Sequence, residues 1–159
     1  MQSITICCSK RFLKEERAFA KKLRSLGCIV FEPPLSTSKH WETLTEEEKV
    51  ALASGLTLRH FEKIQKAEAI FVLNKNGYIG VSTNLEIGYA AALHKRIFFL
   101  EEDDDYPRKV LAEHVARTPA ELLTKLKSPV SGPMEPGHIH RQAIGIISPC
   151  RWPKRKWAA

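Results

Sequence analysis

Glu86 is the residue through which this chain could do chemistry. It sits in NGYIGVSTNLEIGYA, residues 76–90, which combines a turn, two hydroxyls, one acid and a helix start. Two roles fit it. Thr83 and Glu86 spell T-x-x-E, the pattern of a capping box, in which the acid closes a helix N-terminus. Alternatively, a carboxylate in the first turn of a helix is kept ionised by the helix dipole and can face a cleft. A fixed, ionised carboxylate is what attack on a sugar carbon requires. It would form a glycosyl-enzyme that water or a second base then opens.

The residues before Glu86 suit a ligand loop. Asn74 ends an apolar run, Asn76-Gly77 is a turn signal, and Gly80 is a second permissive position where backbone can approach a ligand closely. Ser82 or Thr83 is the expected helix cap, and the free N–H groups at such a start favour an anion. The loop resembles a weak phosphate cradle. It carries neither GK[ST] nor GxGxxG. Tyr78 in this loop and Phe12 further upstream are aromatics that could stack on a base.

Other candidates have plainer alternatives. His60, beside Phe61 and Ile64, reads as a structural histidine before it reads as a site residue. His94 falls at a helix C-terminus, where it suits the dipole. His40 and Trp41 could form a lid, or pack one aromatic inward. The acids of EEDDD, residues 101–105, read as a solvated run, because cation loops alternate their ligands. Cys7, Cys8, Cys28 and Cys150 form no CxxC and no zinc spacing, and adjacent Cys7-Cys8 read as core thiols. The sequence therefore implies no metal and no organic cofactor.

These residues need a scaffold, and the hydrophobic pattern supplies one. SITICC reads as a strand, RFLKEERAFAKKLRSLG as a helix with Phe12, Leu13, Ala18, Phe19, Leu23 and Leu26 at helical spacing and Gly27 as its stop, and CIVFEPP as a second strand. Thr45 and Glu48 predict a capping box opening a long helix to about Lys66. AIFVLN and RIFFLE are short apolar strands of the kind buried in parallel sheets, separated by the Glu86 helix, which runs to about His94. EHVAR suggests a last short strand. Thr118, Pro119 and Glu121 start a final helix to about Lys127. Strands alternating with helices imply crossover units and a parallel sheet covered on both faces. Ligands of such folds bind beyond the carboxyl ends of the strands, which here include Ser9–Phe12 and Asn74–Glu86.

The 159 residues suggest one domain. Residues 1–127 hold 20 basic and 17 acidic side chains, and residues 128–159 hold 5 and 1, so the formal +7 is concentrated at the end of the chain. This argues against a nucleic-acid groove across the main domain. It leaves RWPKRKW, in an irregular Pro- and Gly-rich tail, as a segment that could touch nucleic acid or an acidic membrane surface, though a plain chain terminus is the simpler reading; QAIGIIS in the same tail could add an edge strand. No apolar run is long enough to span a membrane and no leader is visible, so a cytoplasmic protein is expected.

The stretch AEAIFVLNKNGYIGVSTNLEIGYAAALHKRIFFL, together with ITICCSKRF, VFEPP and HFEKIQ, resembles the nucleoside 2-deoxyribosyltransferase-like family over about residues 2–127. The resemblance implies a flavodoxin-like, three-layer sandwich around a parallel sheet of four to five strands. It implies a substrate in which a deoxyribose, with or without a 5′-phosphate, is linked to a base. It puts the nucleophile at Glu86 and the hydroxyl-bearing helix start at Ser82 and Thr83. The first-strand loop near base and sugar falls on Ser9, Lys10, Arg11 and Phe12, and Asn74, Gly77, Tyr78 and Gly80 complete the pocket. A homo-oligomer is implied by analogy. The transferases carry aspartates where this chain has Asn74 and Gly80. A hydrolase, or a non-catalytic nucleotide-binding module of the same fold, therefore stands beside base exchange.

Overall fold

A computed structural model of the chain describes residues 1–34 and 41–129. His40, Cys150, the suggested QAIGIIS strand and the basic RWPKRKW segment lie outside the described residues. Within them the order is β1 (Ser3–Cys8), α1 (Leu13–Ser25), β2 (Ile29–Phe31), α2 (Glu46–Lys66), β3 (Ala69–Leu73), α3 (Val81–Ala92), β4 (Arg96–Phe99), α4 (Tyr106–Lys109), β5 (His114–Val115) and α5 (Pro119–Lys127). The five strands form one parallel sheet in the order β2-β1-β3-β4-β5. This is the flavodoxin-like winding. The chain leaves β1 in one direction for β2, then returns to the other side of β1 for β3, which opens a crevice between the ends of β1 and β3.

Side-chain alternation along the strands explains the layers. Ile4, Ile6, Phe71 and Phe98 point to one face, where Ala20 and Leu23 of α1 and Leu122, Leu123 and Leu126 of α5 cover them. Cys7, Ile70, Val72, Ile97 and Phe99 point to the other, covered by Ile64 of α2 and Ile87 and Ala90 of α3. β3 is buried at every position, which is why its sequence is apolar without alternation. Phe19 of α1 stacks on Phe71 with ring centroids 4.4 Å apart.

The helix signals are realised with few exceptions. Gly27 adopts φ 84°, and Cys28 N–H donates to the Leu23 carbonyl and Gly27 N–H to that of Arg24. That pair of bonds is the Schellman ending. The Thr45–Glu48 capping box is complete in both directions. Thr118 Oγ1 accepts from Glu121 N–H at the head of α5. The expected stripe of α1 is realised in part: Leu23 is buried, and Phe12 and Phe19 pack on the core. Ala18 and Leu26 are exposed, and Glu16 and Ala20 join Leu23 on the buried face.

The segment after β4 departs from a solvated acidic loop. Asp103 is only 5 % exposed and accepts from Arg108 at 2.7 and 2.9 Å and from Asp105 N–H. It anchors the short helix α4, which hydrophobic periodicity did not suggest. His94 takes φ 53° at the end of α3, where it ends the helix in a glycine-like conformation. Arg96 grips Glu113 with two bonds and the carbonyls of Lys125 and Leu126, tying β4 to the end of α5.

Candidate active site

A cleft of about 490 Å³ lies over the carboxyl end of β1. Its walls come from three places: the β1 end with the turn after it, the inner face of α2, and the first two turns of α3. Ser9, Lys10 and Arg11 enter from the first, Thr57 and His60 from the second, and Gly80, Ser82, Thr83 and Glu86 from the third. Pro33, Pro34 and Trp41 close one side. Ser9 stays at the rim because its Oγ caps a short 3-10 turn, accepting from Arg11 N–H at 3.4 Å.

Helical spacing decides what α3 presents. The helix begins at Val81, with Gly80 as N-cap and no side-chain cap bond. Thr83, Glu86, Ile87 and Ala90 therefore share its buried face. This corrects two expectations. Neither Ser82 nor Thr83 caps the helix, and Glu86 completes no capping box; it is the sixth residue of α3, in its second turn. It is therefore too deep for the terminal amides to hold it ionised.

Burial governs its charge instead. Glu86 is 9 % exposed, and its Oε2 is buried without a hydrogen-bond partner. Desolvation pushes its pKa from 4.5 up to about 7, against a smaller downward pull from the Cys7 thiol. His60 Nδ1 lies 3.6 Å from Glu86 Oε1, and Cys7 Sγ lies 3.7 Å from His60 Nε2. Burial, then the charge of Lys63, lowers the His60 pKa to about 4, so the imidazole is neutral at pH 7 and its contact with Glu86 is not an ion pair. Burial also raises both thiols, Cys7 strongly and Cys8 to about 12.

Nine of the residues weighed from the sequence meet at this cleft: Ser9, Lys10, Arg11, Trp41, His60, Gly80, Ser82, Thr83 and Glu86. Four do not line it. Asn74 is fully buried, and both ends of its amide are engaged by the backbone of Glu101: Nδ2 donates to the carbonyl at 3.0 Å and Oδ1 accepts from the N–H at 2.9 Å. It is a clasp between the ends of β3 and β4. Gly77, with φ 69°, serves the turn that Asn76 begins at φ 55°. Phe12 and Tyr78 pack edge to face beside the cleft, and the Arg11 guanidinium lies 4.2 Å over the Tyr78 ring. Gly80 takes φ −80°, which any residue adopts, and a Cβ there would meet only ordinary contacts at 4.0 Å.

The sequence pattern did not place His60 in the cleft wall or Cys7 behind it. Cys7 is a core thiol as expected, but one that lies against His60 and Glu86. The available signal was strand alternation, which turns Cys7 to the same sheet face as the helix carrying Glu86. A second cleft of about 420 Å³ beyond β2 contains Glu16, Arg24, Glu32 and Lys63. There Arg24 and Glu32 pair at 2.7 Å and Lys63 donates to the Glu32 backbone carbonyl at 2.8 Å, while Glu16 Oε1 is buried without a partner.

The described residues thus form a flavodoxin-like α/β domain with a carboxylate cleft at the β1/β3 crevice, and no helix among them is long and apolar enough to cross a membrane. Solved structures share this fold. One is a 2-deoxyribosyltransferase from the psychrotolerant bacterium Bacillus psychrosaccharolyticus, at TM-score 0.53 and 17 % identity, covering 76 % of this chain and 89 % of that one. Another is a conserved protein from Enterococcus faecalis V583, at TM-score 0.54 and 15 % identity, covering 80 % and 98 %. No family model and no curated protein matches the chain.

Proposed function

We propose that the protein cleaves or transfers at the N-glycosidic bond of a (deoxy)nucleoside or its 5′-monophosphate, with Glu86 as nucleophile. One observation carries this reading: the Glu86 carboxylate lines the crevice cleft with an unpartnered oxygen. The fold shared with a 2-deoxyribosyltransferase supports it. A Glu86 oxygen attacks the anomeric carbon as the bond to the base breaks and the base leaves with the electron pair. The resulting ester is opened at the same carbon by water or by a second base, returning the carboxylate. Ser9, Ser82 and Thr83 offer hydroxyls to the sugar. Lys10 and Arg11 supply positive charge where a 5′-phosphate would enter.

A second reading, a nucleotide-binding or sensing module without turnover, is favoured by one specific observation. The Asn74 amide is consumed by Glu101, and Gly80 brings no side chain, so neither position offers a proton to a departing base. The test is incubation with a panel of deoxynucleosides and their monophosphates, with and without an acceptor base, reading free base by chromatography. The enzyme reading expects release that Glu86→Gln abolishes while the circular dichroism spectrum stays unchanged. Release from no member of the panel refutes it. Binding that persists in Glu86→Gln without turnover by either protein establishes the module.

A further inference from the structure

We propose that Cys7, His60 and Glu86 form a binding site for a thiophilic divalent metal ion of the zinc class. The three residues come from β1, α2 and α3, and all three are buried. One ligand atom from each lies within 4.8 Å of the others. Thiolate, imidazole and carboxylate are the donors zinc prefers, and a tetrahedral zinc holds sulfur and nitrogen ligands about 3.6 Å apart. Cys7 Sγ and His60 Nε2 already stand 3.7 Å apart. The Glu86 carboxylate now meets the other ring nitrogen, with Oε1 3.6 Å from His60 Nδ1, so it must turn toward Nε2 to close the set, and its unpartnered Oε2 leaves it free to do so. Buried polar atoms are rarely left unpaired; of the two orphaned carboxylate oxygens among the described residues, Glu16 Oε1 and Glu86 Oε2, only that of Glu86 belongs to a residue grouped with a thiol and an imidazole.

The site also has an opening. Glu86 and His60 line the cleft while Cys7 lies behind them, so a metal held by all three keeps a fourth position toward the cleft. Binding converts the Cys7 thiol to thiolate and releases its proton to solvent. If Glu86 is the nucleophile proposed above, the metal withdraws it from the sugar, and the loaded protein is the inactive form. That consequence rests on the proposed function; the binding itself does not.

The experiment uses the full chain, stripped with a chelator under reductant and titrated with Co²⁺ as the probe. The expected result is one equivalent bound, with visible d–d bands and a thiolate-to-cobalt charge-transfer band that Zn²⁺ displaces. Cys8→Ser and Cys150→Ser retain the band and Cys7→Ser loses it. Glu86→Gln and His60→Ala weaken binding by at least the roughly 10–100-fold that loss of an outer-shell partner costs. Absence of a charge-transfer band, or a band that survives Cys7→Ser, overturns the proposal. Should Cys7→Ser fail to fold, zinc X-ray absorption on the Cys150→Ser chain decides: one sulfur with nitrogen and oxygen neighbours supports the site, and no sulfur overturns it. Free-base release with and without chelator is read separately, so a metal site without turnover and turnover without a metal site are distinguishable.

Discussion

Burial of Glu86 has a cost to folding that pH controls, and Glu86→Gln isolates it. The pKa of the group rises from 4.5 to about 7 on folding. Below the lower value the carboxyl is protonated in both states, and it contributes nothing that depends on pH. Between the two values the folded state binds a proton that the unfolded state does not, so stability falls as pH rises. Above about 7 the full penalty is present. At about 1.4 kcal/mol per pH unit, the interval corresponds to a loss on the order of 3 kcal/mol. Glutamine has nearly the same shape and does not titrate. Glu16, also buried and raised to about 7, is common to both proteins and cancels in the difference. Urea unfolding of wild type and Glu86→Gln, with chelator present, should therefore diverge with pH. Relative to the variant, wild type should lose about 3 kcal/mol between pH 4 and pH 8, most of it from pH 5 to 7. Parallel stability curves across that range would refute the argument that desolvation sets the charge of this residue.

Three further outcomes follow from the same geometry. If Glu86 attacks as the carboxylate, kcat/KM in chelator should climb about tenfold per pH unit below about 7 and level off above it; a profile that is flat over pH 5–7 would rule out this group as the nucleophile. Asn74→Asp should not supply the acid that base exchange lacks. It should lower the urea unfolding free energy by about 2–4 kcal/mol, because a buried carboxylate would face the Glu101 carbonyl that Asn74 Nδ2 now satisfies. Thr45→Ala should cost about 1 kcal/mol in the same assay by opening the capping box of α2, and should leave the cleft chemistry untouched.

Much of the scaffold was legible because its signals are local. The apolar run Ala69–Leu73, the Thr45–Glu48 box, Gly27 and the Thr118-Pro119 start each report the conformation of their own few residues, and strands alternating with helices leave little choice of sheet. Local signals were ambiguous where two helical starts were possible. TNLE satisfies a capping pattern, yet α3 opens at Val81, one turn earlier than that pattern implies, and this moves Glu86 from helix entrance to buried wall. Asn74 likewise looked like a free polar strand end. Its partner is the backbone of Glu101, 27 positions away, and no side-chain pattern announces a backbone partner.

The amino-acid order alone fixed the parallel α/β architecture, the placement of Glu86 beyond a central strand, and the concentration of positive charge after residue 127. Folding decided the company Glu86 keeps and the charge it carries. Cys7 and His60 stand 79 and 26 positions from it in the chain, and only the crossing of β1, α2 and α3 at the crevice brings the three into contact. A pKa depends on how much water surrounds a group, and water is excluded by the whole packed sheet and its helices rather than by neighbours in sequence.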